Sequence, residues 1–151
     1  VGVISFYGGQ GERILHEMSR KDLSLTIGTE INGQYQLIEQ GKNIGEERLR
    51  VGTVDAFQGK EFDVVFVSLV RTISDRIKID SNDEVNKEKQ LNQIYGLLRV
   101  DNRLNVALRR QRSLLVLVGS QKFVEHSLTA DTAPALPKFL ELCRGDYGKI
   151  F

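Results

Sequence analysis

Apolar and polar positions fall along the chain in blocks, and each block has its own period. The opening run, VGVISFY, predicts a strand over residues 1–7 that stops at Gly8 and Gly9. Ile14, Leu15 and Met18 then recur at helical spacing, predicting a helix over 10–20. Residues 22–47 are polar and glycine-bearing, and read as irregular with one short strand over 35–38. Two strand-like runs follow, 49–54 and 64–70. The second is β-branched or aromatic almost throughout, the composition of a strand covered on both faces. Residues 74–93 carry few large apolar groups, which fits either a mobile excursion or a solvated helix. Leu104, Ala107 and Leu108 supply the buried stripe of a helix over 100–111, with Asp101 or Asn102 placed to cap it. Residues 114–118 form a further buried strand ended by Gly119 and Ser120, and 123–127 and 136–143 read as helices parted by Ala133 and Pro134. Strands alternating with helices predict an α/β fold built on a parallel sheet with both faces covered.

Composition narrows the class without naming a chemistry. A chain of 151 residues fits a single domain, and 40% apolar with 27% charged residues is ordinary for a globular protein. No run approaches the ~20 apolar residues of a membrane span, so no membrane partner is expected. Opening on a strand without an initiating Met is read as a cut inside a longer protein. The single Cys143 excludes an internal disulfide and has no metal-ligand companions, which suits a small apolar filler in a reducing, intracellular and cytoplasmic setting. His16 and His126 stand apart in helical stretches and read as surface or half-buried side chains. Net charge is only +1, yet Arg99, Arg103, Arg109, Arg110 and Arg112 fall within fourteen residues, opposed there only by Asp101.

Two polar clusters carry the candidate chemistry. The first is the loop in VGTVDAFQGKEFDVVFVSLV, with Thr53, Asp55, Gln58, Gly59, Lys60 and Glu61 between the two strand-like runs. Loops at strand ends are where α/β proteins place ligand-handling groups. Gly59 lets backbone approach a ligand closely, and Glu61, acceptor-only when ionised, suits a sugar hydroxyl better than a phosphate. The second is RLNVALRRQR, whose Arg110 falls near the margin of the helical stripe and offers permanently charged planar donors to phosphate oxygens. A polar β-turn and a solvated basic helix are the plain alternatives for each cluster. Tyr7, Phe57 and Phe62 are the aromatics available to stack bases, with Phe57 and Phe62 also reading as core.

Taken together, the clusters resemble a known family. VGTVDAFQGKEFDVVFVSLVRT is similar to motif V of superfamily 1 DNA/RNA helicases, in the RNA-surveillance branch. RLNVALRRQRSLLVLVG resembles motif VI, and VGVISFYGGQ resembles motif IV, all in the family's order. The resemblance implies a RecA-like (P-loop NTPase type) three-layer sandwich with a mainly parallel sheet, lacking the Walker A loop; no G-x-x-x-x-G-K-[ST] occurs here. It implies the second motor domain of an ATP-dependent helicase, closing over ATP and Mg2+ whose phosphate loop and metal ligands lie on an N-terminal RecA-like domain of the same chain. Single-stranded nucleic acid is the implied polymer partner, and the fragment alone is expected to be inactive.

Carried over position by position, Arg110 matches the catalytic arginine that reaches the γ-phosphate. Glu61 with Gly59 matches the nucleotide-facing part of motif V, and Gln10 the motif IV glutamine. Thr53 and Asp55 fall on the side facing the nucleic-acid backbone. Two departures stand out. Arg109 replaces the family's threonine, adding a cation that could contact nucleic acid, and Gln111 replaces the alanine after it. Gly11 stands where an arginine is common, with Arg13 two residues on as a possible nucleotide-binding substitute. These departures keep open a hydrolysis-deficient, helicase-like module that binds nucleic acid or protein. A free-standing Rossmann oxidoreductase domain is a third reading, weakened by the missing glycine fingerprint.

Overall fold

The computed structural model describes residues 1–20, 27–31, 34–37, 49–74, 79 and 83–151. Its elements are Gly2–Ser5 (β1), Gly8–Arg20 (α1), Ile27–Ile31 (β2), Gln34–Leu37 (β3), Leu49–Thr53 (β4), Phe62–Ser68 (β5), Glu84–Tyr95 (α2), Asp101–Ala107 (α3), Gln111–Val118 (β6), Gln121–Glu125 (α4), Ser127–Thr132 (α5) and Ala135–Arg144 (α6), with 3₁₀ turns at Val54–Phe57 and Gly96–Arg99. The chain divides into two compact units, one of residues 1–70 with 106–118, the other of 71–105 with 119–151.

The first unit holds a six-stranded sheet in the order β2-β3-β4-β1-β5-β6. The pairs β4–β1, β1–β5 and β5–β6 are parallel, while β2–β3 and β3–β4 are antiparallel. This is an α/β, RecA-like sheet, mainly parallel. Two strands occupy the stretch where composition predicts one. Pairing of β3 along β4, with Tyr35 opposite Val51, is a non-local gain that polar local sequence does not advertise. The rest of 22–47 lies outside the described residues.

α1 packs Leu15, Ile14 and Met18 against Val3, Leu49 and Val51, the stripe predicted from spacing. It covers the β1–β4 part of that sheet face only. Phe66 shares the face through its register with Val3, and Leu114 and Val118 continue it; they are 37%, 51% and 54% exposed. β5 is therefore fully buried on one side, through Val65 and Val67, and not on both as its composition predicts.

The opposite face is crossed by the link from β4 to β5. Residues 54–61 must travel from the carboxyl end of β4 to the amino end of β5 over β1. They do it with one 3₁₀ turn lying close on the sheet. The strands below supply glycine where it passes: a Cβ on Gly2 would lie 2.8 Å from Cε1 of Phe57, and one on Gly52 would lie 3.2 Å from Cβ of Ala56. Phe57 is fully buried and its ring centroid is 5.6 Å from that of Phe62. Both aromatics are core, which settles them against base stacking.

In the second unit Tyr95, Leu98, Phe123, Thr129 and Leu136 are buried. The hydroxyls of Tyr95 and Thr129 lie 2.9 Å apart, and Thr129 donates to the Phe123 carbonyl at 2.6 Å, so this buried polar pair is satisfied. α2 occupies the later part of the polar stretch 74–93, as the solvated-helix reading expects, with only Leu91 and Tyr95 buried. Mobility expected around 75–78 and 80–82 lies outside the described residues. Asp83 caps α2 by accepting from the backbone N–H groups of Val85 and Asn86. Asp83→Ala should cost about 1 kcal/mol, read as a lowered urea midpoint; an unmoved midpoint would show the cap to be idle.

Candidate functional site

The register fixes where each sequence-predicted residue stands. Ser5, Thr53, Ser68 and Val118 are level with one another and mark the carboxyl edge of the parallel sheet. Phe62 pairs with Gln111 at the amino edge. Phe62 precedes Ser68 by six residues, so the two edges are roughly 20 Å apart along the strands.

At the amino edge the structure brings the residues around Glu61 and Arg110 together. The N–H of Phe62 donates to the Arg110 carbonyl at 2.9 Å, so Glu61 and Arg110 stand just before two adjacent strands, with Gly59 two residues back in the loop. This bond also corrects the predicted helix over 100–111. α3 ends at Ala107, Leu108 and Arg109 form a turn, and Gln111 begins β6. The ladder draws Arg110 into extended backbone against the helical periodicity. The Val106 carbonyl, left unsatisfied by that ending, accepts from the Arg109 N–H at 3.3 Å and from Nε of Arg110 at 3.0 Å. Arg110 is thus half-buried and tethered through Nε, with its two terminal nitrogens uncommitted to any carboxylate among the described residues.

The rest of the arginine cluster sorts itself by partner. Arg99 binds Glu88 and Asn92 within the second unit, and its hydrogen bond holds the Glu88 carboxyl below its usual range. Arg112 stands where the β5–β6 register shifts by one residue, and pairs with Glu61 at 3.6 Å and Asp63 at 3.8 Å. These two contacts are long and solvent-exposed, so they orient Glu61 only loosely. Arg109 is exposed in its turn. Gln111 carries a buried Oε1 with no hydrogen-bond partner among the described residues, one position from Arg110.

Gly59 has φ of +69°, and its missing Cβ would touch nothing, so the need is conformational and not steric. Lys60 N–H closes the turn onto the Phe57 carbonyl at 3.1 Å. Gly59→Ala should cost about 1 kcal/mol by forcing a left-handed residue, checked by equilibrium unfolding; an unchanged midpoint would mean the turn relaxes freely.

At the carboxyl edge stand Thr53, half-buried at the end of β4, and Asp55, exposed at the start of the 3₁₀ turn. Gln10 is half-buried in the first turn of α1, its N–H donating to the Tyr7 carbonyl at 3.1 Å. Gly11 is buried, facing Ser5 and Gly52 at ordinary contact distances, whereas Arg13 is exposed. Two residues along a helix is about 200° of rotation, so Arg13 points away from the place Gly11 occupies. Gln10 and Arg13 therefore begin at the opposite edge from Glu61 and Arg110.

One residue escaped the sequence reading. Arg50 is the second residue of β4 with 6% of its surface exposed, and its Nη1 donates to the Ala56 carbonyl at 2.5 Å. The signal was present: a cation inside the apolar run LRVGTV is out of pattern for a buried strand. Among the described residues there is no group of three or more His, Cys, Asp or Glu able to hold a metal ion, and no helix is long and apolar enough to cross a membrane.

Comparison with known proteins gives the frame for this geometry. A family model described as an AAA domain matches residues 1–122. A Gallus gallus protein bearing the name helicase MOV-10 is 30% identical over 97% of this chain and 12% of its own length. The Regulator of nonsense transcripts 1 homolog of Neurospora crassa is 33% identical over 85% of the chain and 9% of its own length. DNA polymerase alpha-associated DNA helicase A of Saccharomyces cerevisiae is 39% identical over 48% of the chain and 8% of its own length. The chain spans about a tenth of the length of these relatives.

Proposed function

Given that the chain belongs, through its AAA domain, to the superfamily 1 DNA/RNA helicases, we propose that it is the second motor half of an ATP-dependent helicase. The observation that carries this reading is the amino-edge cluster: a tethered, half-buried Arg110 with no carboxylate partner among the described residues, its carbonyl bonded to the N–H of Phe62, next in the chain to Glu61. Its free terminal nitrogens suit phosphate oxygens, and Glu61 beside Gly59 suits a ribose hydroxyl.

In this proposal ATP sits against the amino edge, supplied with its phosphate loop by an N-terminal RecA-like domain. Closure of that domain brings Arg110 to the γ-phosphate, where it stabilises charge developing in the transition state. Mg2+ enters with the nucleotide, held by ligands on that other domain. Thr53 and Asp55 face the single strand at the carboxyl edge, whereas Arg109, grouped with them on sequence grounds, lies beside Arg110 at the amino edge and adds its charge there. Gln10 and Arg13 start from the opposite edge to Arg110, so a nucleotide contact made by them is separate from its γ-phosphate contact.

A hydrolysis-deficient binding module is the second reading. Gly11 favours it, because no arginine fills that place and Arg13 points elsewhere. ATP turnover by the intact protein, with and without single-stranded RNA and DNA, separates the two. The motor reading expects turnover stimulated by a single strand, and none from residues 1–151 alone. No turnover from a folded protein that still binds the strand would leave the binding module standing.

A further inference from the structure

Arg50 is the one charged residue among the described residues that is buried. Removing a guanidinium from water is expensive unless its protons find partners, so such a residue needs an account. It sits on β4 beneath the 54–61 crossover and donates to the carbonyl of Ala56, the middle of that crossover. Above this bond the crossover presents Thr53 and Asp55 at the carboxyl edge. Below it, the turn at Gly59 leads to Glu61 and to the ladder bond between Phe62 and Arg110. The glycines under the crossover let it lie flat, and Phe57, next in the chain to Ala56, seats its ring beside Gly2 and Phe62. A charged donor and a buried ring thus fix the centre of the segment at two consecutive residues, and its two ends extend from that one anchored point.

We propose that Arg50 is a positioning residue that joins the nucleic-acid-facing and nucleotide-facing ends of the crossover into one rigid part, so that occupancy at one edge is felt at the other. This rests on the proposed function, because it takes the polymer and the nucleotide to bind at those two edges. Arg50 touches neither. Its role is to stop the two ends of residues 53–61 from shifting independently.

The test is a binding cycle on the intact protein that needs no hydrolysis. The affinity for a single-stranded oligonucleotide is measured with and without a non-hydrolysable ATP analogue, and the ratio of the two is the coupling between sites. A wild-type ratio of roughly 5–150 is the ordinary range for such linkage. Arg50→Met, which keeps the buried stem and removes the donors, is expected to bring the ratio to within about twofold of one. Arg50→Lys, with a single charged head, should hold an intermediate ratio, and serves if the methionine variant does not fold. Met18→Ala, which trims the α1 packing and leaves the crossover alone, controls for general destabilisation and should keep the wild-type ratio. A wild-type ratio in a folded Arg50→Met, or in Arg50→Lys when only that variant folds, overturns the proposal. So does a wild type that binds both ligands without coupling, and that outcome leaves the functional reading intact. A wild type that binds no nucleotide analogue brings down the functional reading and this inference together.

Discussion

Alanine at position 110 should lower strand-stimulated ATP turnover of the intact protein by about 10³-fold or more, the scale set by arginines that neutralise transferring phosphoryl groups. That is a loss of about 4 kcal/mol in transition-state stabilisation. Nucleotide affinity should change far less, because the developing charge is greatest in the transition state. Part of the effect has a structural origin that must be separated. The same side chain donates Nε to the Val106 carbonyl, and removing it leaves that carbonyl short of a partner at about 1 kcal/mol. Arg110→Lys helps here: it retains a charge but loses the planar fork, and should recover little of the rate. Turnover within a few-fold of wild type in a folded Arg110→Ala would remove this residue from the chemistry, whatever the family pattern.

The second large effect falls on stability. Phe57→Ala should cost about 3–5 kcal/mol, since the ring is fully buried, lies over Gly2 and packs at 5.6 Å on Phe62. The space it leaves is bounded by strand backbone at Gly2 and Gly52, which cannot collapse inward without breaking the sheet, so relaxation should be small. Equilibrium urea unfolding gives the number. A loss under about 1 kcal/mol, well below the ordinary large-to-small range, would mean the crossover does not depend on this ring. The measurement also bears on function, because residue 57 sits midway between Asp55 and Gly59.

Much of this was legible from residues alone. Ile14, Leu15 and Met18 gave α1 because helical periodicity is a local property. Strands alternating with helices gave the α/β class, and VDAFQGKE with RLNVALRRQR gave the family and its RecA-like type. What stayed hidden depended on pairing between distant segments. The end of α3 at Ala107 is decided by Phe62, far back in the chain, which claims the Arg110 carbonyl. The uncovered side of Phe66 depends on how far α1 reaches across the sheet. The division of the site residues between two edges follows from strand order, and nothing in the spacing of Gln10, Thr53, Glu61 and Arg110 reports it. Arg50 was legible in principle, as a charge in an apolar run, but its target at Ala56 belongs to the crossover geometry.

The place of β1 in the sheet has a consequence for how the molecule comes into being. Its partners are Arg50 opposite Gly2 on one side and Val65 opposite Gly2 on the other. During synthesis at roughly 5–20 residues per second, the central strand emerges and then waits roughly 3–13 s for its second neighbour. Until β4 emerges this apolar strand has neither edge satisfied, and until β5 follows one edge stays open, which is the interval in which a chaperone or a nascent-chain neighbour has the most to gain by holding it. Closing such sequence-distant parallel pairs is also slow in its own right, which lengthens the exposure of β1.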